Sequence, residues 1–376
     1  MKIIIVGTAY PYRGGLAAYT ERLAREYQQH GHEVVVYTFT LQYPSFLFPG
    51  KTQYSSETPS DGLTIKRAIN SINPINWLKV GKQIKKEQPD MVVFCYWMAF
   101  FAPCFGTVAR MARSAKTSVL ALVHNMIPHE PTIIDKIFPR YFVGAMDGFV
   151  AMSDFVIKDI EHFDKKNKPK LVSPHPVYDH YGEIISRNDA LKKLQLSDNY
   201  NYILFFGFIR QYKGLDLLLK AFADNRLRAL PIKLIVAGEF YEDEKSYHDL
   251  IRQYDLENIV ELRTDFIPDS EVQYYFCAAD IVAQPYKSAT QSGVTQIAYH
   301  FEKPMLVTNV GGLSEIVPNG KVGYVVEPNE KDIADALIDF YTNNRVDEFV
   351  ENTKEEKKKY LWSCMTDTFD KLAKQK

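Results

Sequence analysis

Short apolar runs alternate with segments of helical periodicity along the first half of the chain. Five runs have the length and composition of buried strands: KIIIV, EVVVYTF, MVVF, SVLALVH and GFVAMS. The segment after the first run is helical, because apolar residues recur there every three or four positions: Leu16, Tyr19, Leu23 and Tyr27. Gly31 can end this helix in a left-handed conformation. Strands that alternate with helices predict a parallel sheet covered by helices.

The same alternation begins again in the second half, with the runs YILFFGFI, KLIVAGE, NIVELRT, DIVAQPY, PMLVTNV and GYVVEP. Between the two halves lies SPHPVYDHYG (173–182), whose prolines and glycine interrupt both periodicities. The prediction is therefore an α/β protein with two doubly wound, parallel-sheet (Rossmann-like) domains, residues 1–178 and 179–353. The apolar spacing within 354–376 predicts an amphipathic helix that docks on a domain.

The composition is that of a folded, soluble protein, with 376 residues of which 46% are hydrophobic. Its four cysteines form no CxxC pair, which argues against structural zinc and a disulfide framework and fits a cytoplasmic setting. The amino-terminal apolar run is too short for a signal peptide. The uncharged stretch 91–108 is long enough for a short membrane span, but Pro103 and Gly106 favour a strand, a loop and a buried helix.

The two halves of the chain carry opposite net charge. Residues 1–180 have 21 Lys+Arg against 15 Asp+Glu, whereas residues 181–376 have 24 against 31. In the helix predicted after Pro74, three cations share one side with Trp77 nearby: Lys79, Lys82 and Lys86. This pattern suits a peripheral contact with an anionic membrane, although an ordinary solvated surface explains the same charges.

Ligands of open parallel sheets bind beyond the carboxyl ends of the strands, so the residues that follow each run are the candidate site. Gly14 and Gly15 follow the first strand and open a helix, where backbone N–H groups can approach an anion; a flexible turn is the alternative. They are not part of a GxGxxG, and Thr38 takes the place of the ribose-binding acid, so a dinucleotide site is not predicted.

His124 follows the strand SVLALV and is a second candidate. Its ring could donate to a sugar hydroxyl or a phosphate, or exchange a proton. A structural histidine is the alternative.

The loop after YILFF contains Gly207, Arg210 and Lys213, directly before a predicted helix. The glycine permits close backbone approach, and two fixed cations can neutralise a leaving diphosphate without a metal. A solvated pair of surface cations is the alternative. The sequence contains no Asp-x-Asp, GxxxxGK[ST] or GxSxG, so no metal ligands, triphosphate loop or serine nucleophile are predicted.

The polar segment SATQSGVTQIAYHFEKP (288–304) follows DIVAQPY. Its first turn of helix is predicted to contain Thr290, Gln291, Ser292 and Gly293, with the helix continuing through Val294 and Gln296. Free N–H groups at such a turn favour phosphate. Ordinary capping by Ser292 is the alternative reading.

Together these blocks resemble the retaining nucleotide-sugar glycosyltransferases of the GT-B fold, in the group known as glycosyl transferases group 1. The resemblance extends over almost the whole chain and rests on the order and spacing of PYRGGLAAYTERLAREYQQHGHEVVVYT, VHN, FFGFIRQYKGLDLLLKAF, VAGE, ADIVAQPY and EKPMLVTNVGGLSEIV.

This resemblance implies two domains facing a cleft, the second holding the sugar nucleotide and the first the acceptor, with the last helix crossing back to the first domain. The catalytic residues it implies are Arg210 and Lys213 on the donor diphosphate and His124 near the donor sugar and acceptor. The donor-binding residues it implies are Gly14, Gly15, Gly207, Glu239, Thr290, Gln291, Ser292, Gly293, Val294 and Gln296. Transfer would retain the anomeric configuration through an oxocarbenium-like state, the departing diphosphate assisting deprotonation of the acceptor. No metal and no cofactor besides the nucleoside-diphosphate sugar would be needed.

The chain departs from the family pattern at two places. Phe208 stands where many members have an arginine. Ala289 and Ile297 stand where members often have two glutamates that bind the donor, and Gln291 and Gln296 are the nearest polar substitutes. These departures leave the donor sugar open.

The leading interpretation is a hexosyltransferase-type enzyme that acts on a glycan or lipid-linked acceptor in cell-surface polysaccharide synthesis. A nucleotide-sugar epimerase of the same fold is one alternative, weakened because His124 is the single strong proton-transfer candidate. A catalytically silent sugar-nucleotide or glycan binding protein is the other, supported by the missing glutamates. No nucleic acid partner is expected.

Overall fold

The computed structural model describes residues 1–44, 53–54, 62–127, 133–289 and 292–375. The chain divides into two compact units. The first unit consists of Met1–His175 together with Trp362–Lys376, and the second of Pro176–Leu361. These compact units are defined by packing. The functional domain limits after residues 178 and 353 remain a prediction from the sequence.

Among the described residues of the first unit, seven parallel strands form one sheet. They are β1 (Lys2–Val6), β2 (Glu33–Leu41), β3 (Thr64–Asn70), β4 (Met91–Tyr96), β5 (Ser118–Val123), β6 (Gly148–Ala151) and β7 (Lys170–Val172), in the spatial order β3-β2-β1-β4-β5-β6-β7. Ile4 of the central β1 lies opposite Val35 of β2 and Val92 of β4. The five runs recognised in the sequence correspond to β1, β2, β4, β5 and β6, and the edge strands β3 and β7 are additional.

Helices cover both faces of this sheet. They are α1 (Gly15–Gln29), α2 (Pro74–Lys86), α3 (Ala102–Ala112), α4 (Ile133–Val143), α5 (Asp154–Phe163) and, from the carboxyl terminus, α15 (Trp362–Ala373). The stretch 91–108 divides into β4, a short turn at Ala99–Phe101 and the buried α3, which confirms the strand, loop and helix predicted for it. Within the described ranges no helix is both long and apolar enough to cross a bilayer.

Alternate strand residues separate the core of the first unit into two layers. Val92 and Phe94 pack toward α2, α3 and α4. We call these three helices the α2–α4 layer. Met91 and Val93 point the other way and pack with α1 and α15. A period of two along each strand produces this division, because successive side chains leave opposite faces of a sheet.

The second unit repeats the architecture with six parallel strands. They are β8 (Asn201–Phe206), β9 (Ile232–Ala237), β10 (Val260–Arg263), β11 (Ile281–Gln284), β12 (Met305–Thr308) and β13 (Gly323–Val326), in the order β10-β9-β8-β11-β12-β13. The accompanying helices are α6 (Arg187–Leu194), α7 (Leu215–Ala221), α8 (Asn225–Arg228), α9 (Lys245–Gln253), α10 (Asp269–Ala278), α11 (Gly293–His300), α12 (Leu313–Ile316), α13 (Glu330–Thr342) and α14 (Val346–Lys357). All six strand runs recognised in the second half of the sequence are present.

Each sheet contains one point where the strand order changes direction. In the first unit it lies between β1 and β4, and in the second between β8 and β11. The loops that leave the carboxyl ends of neighbouring strands at such a point diverge to opposite faces and leave a crevice, which is where ligands of this fold class bind. The candidate residues after β1, β8 and β11 therefore stand at the two crevices.

Candidate functional site

The loop of residues 207–214, called the β8 loop, leaves the second sheet at the crevice and leads into α7. Gly207 has a φ of +92°, a conformation that glycine adopts without strain, and its N–H donates to the carbonyl oxygen of Ala237 at 2.9 Å. A Cβ on Gly214 would lie 1.9 Å from the carbonyl oxygen of Pro285. Glycine at 214 thus allows the β8 loop to pack directly against the chain that follows β11.

Lys213 is buried inside this loop. Its Nζ lies 5.8 Å from the ring centre of Tyr286, and within the described ranges it forms no ion pair. Burial, and to a smaller extent the neighbouring Arg210, lowers the pKa of Lys213 to about 8. A buried cation without a counter-charge is unfavourable by itself, so the site is suited to receive an anion.

Arg210 is exposed at the outer side of the same loop. Its guanidinium carbon lies 5.0 Å from the ring centre of Tyr241. Tyr241 also packs against Phe208, with ring centres 4.4 Å apart, and both rings are largely exposed. Phe208, which stands where the resemblance expects an arginine, and Arg210 therefore both contact Tyr241. A cation–π contact of this kind holds the Arg210 guanidinium beside the β8 loop.

Glu239 follows β9 and helps to fix the β8 loop through its backbone. The N–H of Ile209 donates to the carbonyl oxygen of Glu239 at 2.8 Å, and the N–H of Tyr241 donates to the carbonyl oxygen of Ile209 at 3.1 Å. Glu239 is half-buried at the carboxyl end of its strand. Its backbone therefore lies beside the β8 loop, at the edge where ligands of this fold bind.

The amino terminus of α11 closes the other side of the second crevice. Ser292 caps this helix, its Oγ accepting from the N–H of Val294 at 3.3 Å and lying 3.2 Å from the hydroxyl of Tyr286. A Cβ on Gly207 would come within 3.9 Å of the Val294 side chain, so Gly207, Lys213 and Val294 adjoin one another. Gly293 begins the helix beside the ring of Tyr178. The predicted site residues Thr290 and Gln291 lie outside the described residues.

Two buried amides stand behind the first turn of α11. Thr295 donates its hydroxyl to Oε1 of Gln284 at 3.2 Å. The other amide atom of Gln284, Nε2, and the Oε1 of Gln296 are buried without a partner among the described residues. Unsatisfied buried polar atoms are unfavourable. A bound hydroxyl can donate to the Oε1 of Gln296, and a hydroxyl or phosphate oxygen can accept from the Nε2 of Gln284.

Gln284, Tyr286 and Thr295 were not predicted from the sequence. The signal was present in the run DIVAQPY, where Gln284 is the one amide in an otherwise apolar strand end. A polar residue at the carboxyl end of a buried parallel strand is a binding candidate by position.

In the first unit, Gly14 and Gly15 lie between β1 and α1 as predicted. Gly14 has a φ of +105° and precedes the helix, and a Cβ on either glycine would meet no atom of the described residues within 4 Å. The backbone here is therefore open to a ligand. A hollow of about 170 Å³ adjoins it, lined by Tyr12, Arg13, Gly14, Gln42, Tyr43 and Gln53.

His124 follows β5, and its backbone N–H donates to the carbonyl oxygen of Tyr96 at 2.8 Å. Its ring meets the ring of Tyr19 edge to face, with centres 4.9 Å apart, and its Nε2 is buried without a partner in the described part of the chain. Burial, reinforced by His175, lowers the pKa of His124 to about 3. The imidazole is consequently neutral near neutral pH and can act through one N–H or one ring lone pair.

Sequence comparisons agree with this arrangement. The family model described as Glycosyl transferases group 1 matches residues 186–360, and the one described as Glycosyltransferase Family 4 matches residues 13–177. An uncharacterized glycosyltransferase, MJ1178 of Methanocaldococcus jannaschii, is 23% identical and is matched over 96% of this chain and 95% of its own. A D-inositol 3-phosphate glycosyltransferase of Corynebacterium aurimucosum is 30% identical over 86% of this chain and 82% of its own. The O-antigen chain mannosyltransferase C of Escherichia coli is 23% identical over 71% and 70%.

Solved structures show the same fold. Alr3699/HepE of Anabaena, determined in complex with UDP, has a TM-score of 0.68 and 16% sequence identity, and the match covers 100% of both chains. Two parallel-sheet, Rossmann-like units with GT-B structural neighbours confirm the predicted fold class. By the two family matches and by its identity with a relative over most of both chains, this chain belongs to the family of glycosyl transferases group 1.

Proposed function

We propose that this cytoplasmic glycosyltransferase moves a sugar from a nucleoside-diphosphate sugar to a hydroxyl of a glycan or lipid-linked acceptor, with retention of configuration and without a metal. The observation that carries the proposal is Lys213, a buried cation without a described ion-pair partner at the crevice of the second sheet. A diphosphate supplies the negative charge that this lysine lacks. A structural neighbour solved with UDP supports a nucleoside diphosphate as the ligand.

The donor phosphates would lie between the β8 loop and the amino terminus of α11. Gly207 leaves the space beside Lys213 free of a side chain, and the first N–H groups of α11 offer further donors. Arg210, exposed at the rim, would neutralise the outer phosphate oxygens. Fixed cations and backbone dipoles stabilise the charge that develops on a leaving group. A metal ion has this role in metal-dependent enzymes.

In the proposed reaction the bond between the anomeric carbon and the phosphate oxygen breaks, and its electron pair goes to the departing diphosphate. The acceptor oxygen bonds to the anomeric carbon on the face that the diphosphate leaves, so the configuration is retained. The acceptor proton passes to the departing phosphate oxygen. Lys213 and Arg210 stabilise the negative charge, and the neutral His124 would contribute a hydrogen bond near the donor sugar and acceptor.

The amides at α11 would take the place of the glutamates that many members use for donor hydroxyls. Gln296 and Gln284 each hold a buried amide atom without a described partner, and both amide atoms can bind hydroxyl groups. The donor preference of this chain is thus proposed to depend on neutral amides.

The cellular role we propose is synthesis of a cell-surface polysaccharide. A relative named for the O-antigen chain supports it. A peripheral membrane contact belongs to the same proposal, because a lipid-linked acceptor is presented at a membrane.

Product analysis tests the function. Purified protein is incubated with UDP-, GDP- and ADP-sugars and a panel of glycan and lipid-linked acceptors. The products are separated to detect free nucleoside diphosphate, an epimerised donor, or neither. We expect nucleoside diphosphate from one donor, with Lys213→Ala and Arg210→Ala each lowering its release and the exposed control Lys331→Ala leaving it unchanged. An epimerised donor would establish the epimerase instead. A donor that raises the melting temperature without being consumed, across a panel of acceptors, would establish a binding protein.

A further inference from the structure

The α2–α4 layer exposes apolar side chains on its outer side, away from the sheet. They are Ile75 and Leu78 on α2, and Ile134, Ile137, Phe138 and Tyr141 on α4. The four on α4 follow the spacing i, i+3, i+4 and i+7, so they form one stripe along the helix. Ile75 is 66% exposed and Ile137 is 58% exposed. A contiguous apolar stripe that faces solvent marks an interaction surface.

The outer sides of the three helices form one continuous surface, because glycines let the helices pack closely. A Cβ on Gly81 of α2 would lie 2.4 Å from the Cβ of Met111 of α3. A Cβ on Gly106 of α3 would lie 2.7 Å from the ring of Tyr141 on α4. The apolar residues of α2 and α4 therefore belong to the same face of the first unit.

This face is also strongly cationic. Its three helices contain Lys79, Lys82, Lys85, Lys86, Arg110, Lys136 and Arg140, against the single acid Asp135. Arg110 lies with its guanidinium carbon 3.9 Å from the ring centre of Tyr141, beside the apolar stripe. The positive charge of the first half of the sequence is thus concentrated where the apolar residues are exposed.

We propose that the outer face of the α2–α4 layer docks on an anionic lipid bilayer. Apolar side chains that enter the headgroup region, flanked by lysine and arginine, are the combination that binds such a surface. A second copy of this chain fits poorly, because a twofold contact would place seven cations against seven cations. The inference goes beyond the proposed reaction, since it concerns a surface that can fail independently of the donor site.

The structure places Trp77 outside this proposed docking surface. Trp77, placed near the lysines of α2, donates its Nε1–H to the carbonyl oxygen of Asn70 at 2.7 Å and packs against the core. Its indole is held inward, and the α4 stripe supplies the apolar contact instead. The lysines Lys79, Lys82 and Lys86 are exposed as expected.

Vesicle sedimentation tests the proposal with the full chain. Vesicles of phosphatidylcholine mixed with phosphatidylglycerol are compared with phosphatidylcholine alone, at low salt and at about 1 M salt, where charges are screened beyond about 3 Å. We expect binding to the anionic vesicles at low salt. Ile134→Ser with Ile137→Ser should lower the partition coefficient about tenfold, because each serine removes apolar area from the headgroup contact. Lys79→Gln with Lys82→Gln should weaken binding and reduce its dependence on salt.

The matched control is Lys371→Gln with Lys374→Gln at the end of α15, on the opposite face of the sheet, which should bind as the wild type does. The affinity for UDP, measured by thermal shift, should be equal in all variants, which separates this proposal from the donor site. The proposal would be overturned if the wild-type protein did not sediment with anionic vesicles, or if the isoleucine variant bound them as strongly as the wild type. A dimer seen by light scattering and lost in the isoleucine variant would assign the surface to a second copy instead.

Discussion

The Nζ of Lys213 lies 3.1 Å from the point that a Cβ on Gly207 would occupy. The buried cation of the second crevice thus borders the space that the glycine leaves open, and the two residues form one feature. The glycine supplies both the left-handed backbone at the start of the β8 loop and the room for the ammonium group. Substitutions at either residue are expected to act on the same anion site.

Gly207→Ala tests the shared space. The alanine would be strained at a φ of +92° and would press on the Lys213 ammonium group, so we expect a loss of about 1–3 kcal/mol of stability and at least about tenfold weaker UDP binding. Gly320→Ala is the matched control, since Gly320 has a φ of +71° but no atom of the described residues lies within 4 Å of its Cβ position. Denaturation and UDP titration of both variants should show a stability loss in each and a binding loss in the first alone.

Lys213→Met tests the buried charge. The folded pKa of about 8 lies below the ordinary value of 10.5, so the unfolded chain holds the proton more tightly and wild-type stability rises as pH increases from about 8 toward 10.5. Below about pH 8 the whole penalty is present, on the order of 3 kcal/mol. The methionine variant should therefore be more stable than the wild type at neutral pH, lose the rise in stability above pH 8, and fail to bind UDP. Urea denaturation across this pH range provides the measurement.

Lys303→Met is the matched control for that variant. Lys303 is another lysine whose pKa is lowered by burial, and it lies two residues before β12, at the amino end of the sheet rather than the carboxyl end. Its substitution should change stability while leaving UDP affinity as it is. Equal loss of UDP affinity in both variants would refute the assignment of the anion site to Lys213.

The strands could be predicted from the sequence where they are covered on both faces. A strand between two helical layers is apolar at nearly every position, and such runs revealed β1, β4 and β5 directly. The edge strands β3 and β7 were missed because their side chains are partly exposed and their sequences, TIKRAIN and KLV, carry no continuous apolar run. Their pairing depends on a neighbouring strand rather than on their own pattern.

The candidate site was predictable as a set of loops but not as a set of contacts. The crevice position of Gly207 and Lys213 follows from the strand that precedes them. The burial of Lys213 depends on Tyr286 and on the approach of Gly214 to Pro285, which are distant in sequence. The hydrogen bond from Thr295 to Gln284 likewise joins a strand end to a helix. Periodicity within one element cannot reveal such pairs.

His124 is expected to stay neutral throughout the range in which histidines usually titrate. Its pKa of about 3 lies below the ordinary 6.5, so folding stability decreases as pH falls from 6.5 toward 3, where the unfolded chain takes up the proton first. In protein labelled at histidine, the His124 ring signal should not shift between neutral pH and about pH 5. His124→Asn should reduce the loss of stability in acid and lower the turnover number about a hundredfold, the usual loss for one positioned hydrogen-bond donor. A His124 signal that titrates near pH 6.5 would contradict the neutral role.

Gln296→Leu separates stability from donor binding at α11. The Oε1 of Gln296 is buried without a described partner, so replacing the amide by an apolar side chain of similar size should stabilise the free protein by about 1 kcal/mol. The same change removes a group proposed to bind donor hydroxyls, and affinity for the sugar nucleotide should fall about tenfold. Ser71→Ala is the control, because the Ser71 hydroxyl is also buried without a described partner but lies in the first unit before α2. Thermal melts with and without donor should show stabilisation in both variants and weaker donor binding in Gln296→Leu alone. If Gln296→Leu binds the donor as tightly as the wild type, the amide has no role in recognising the donor.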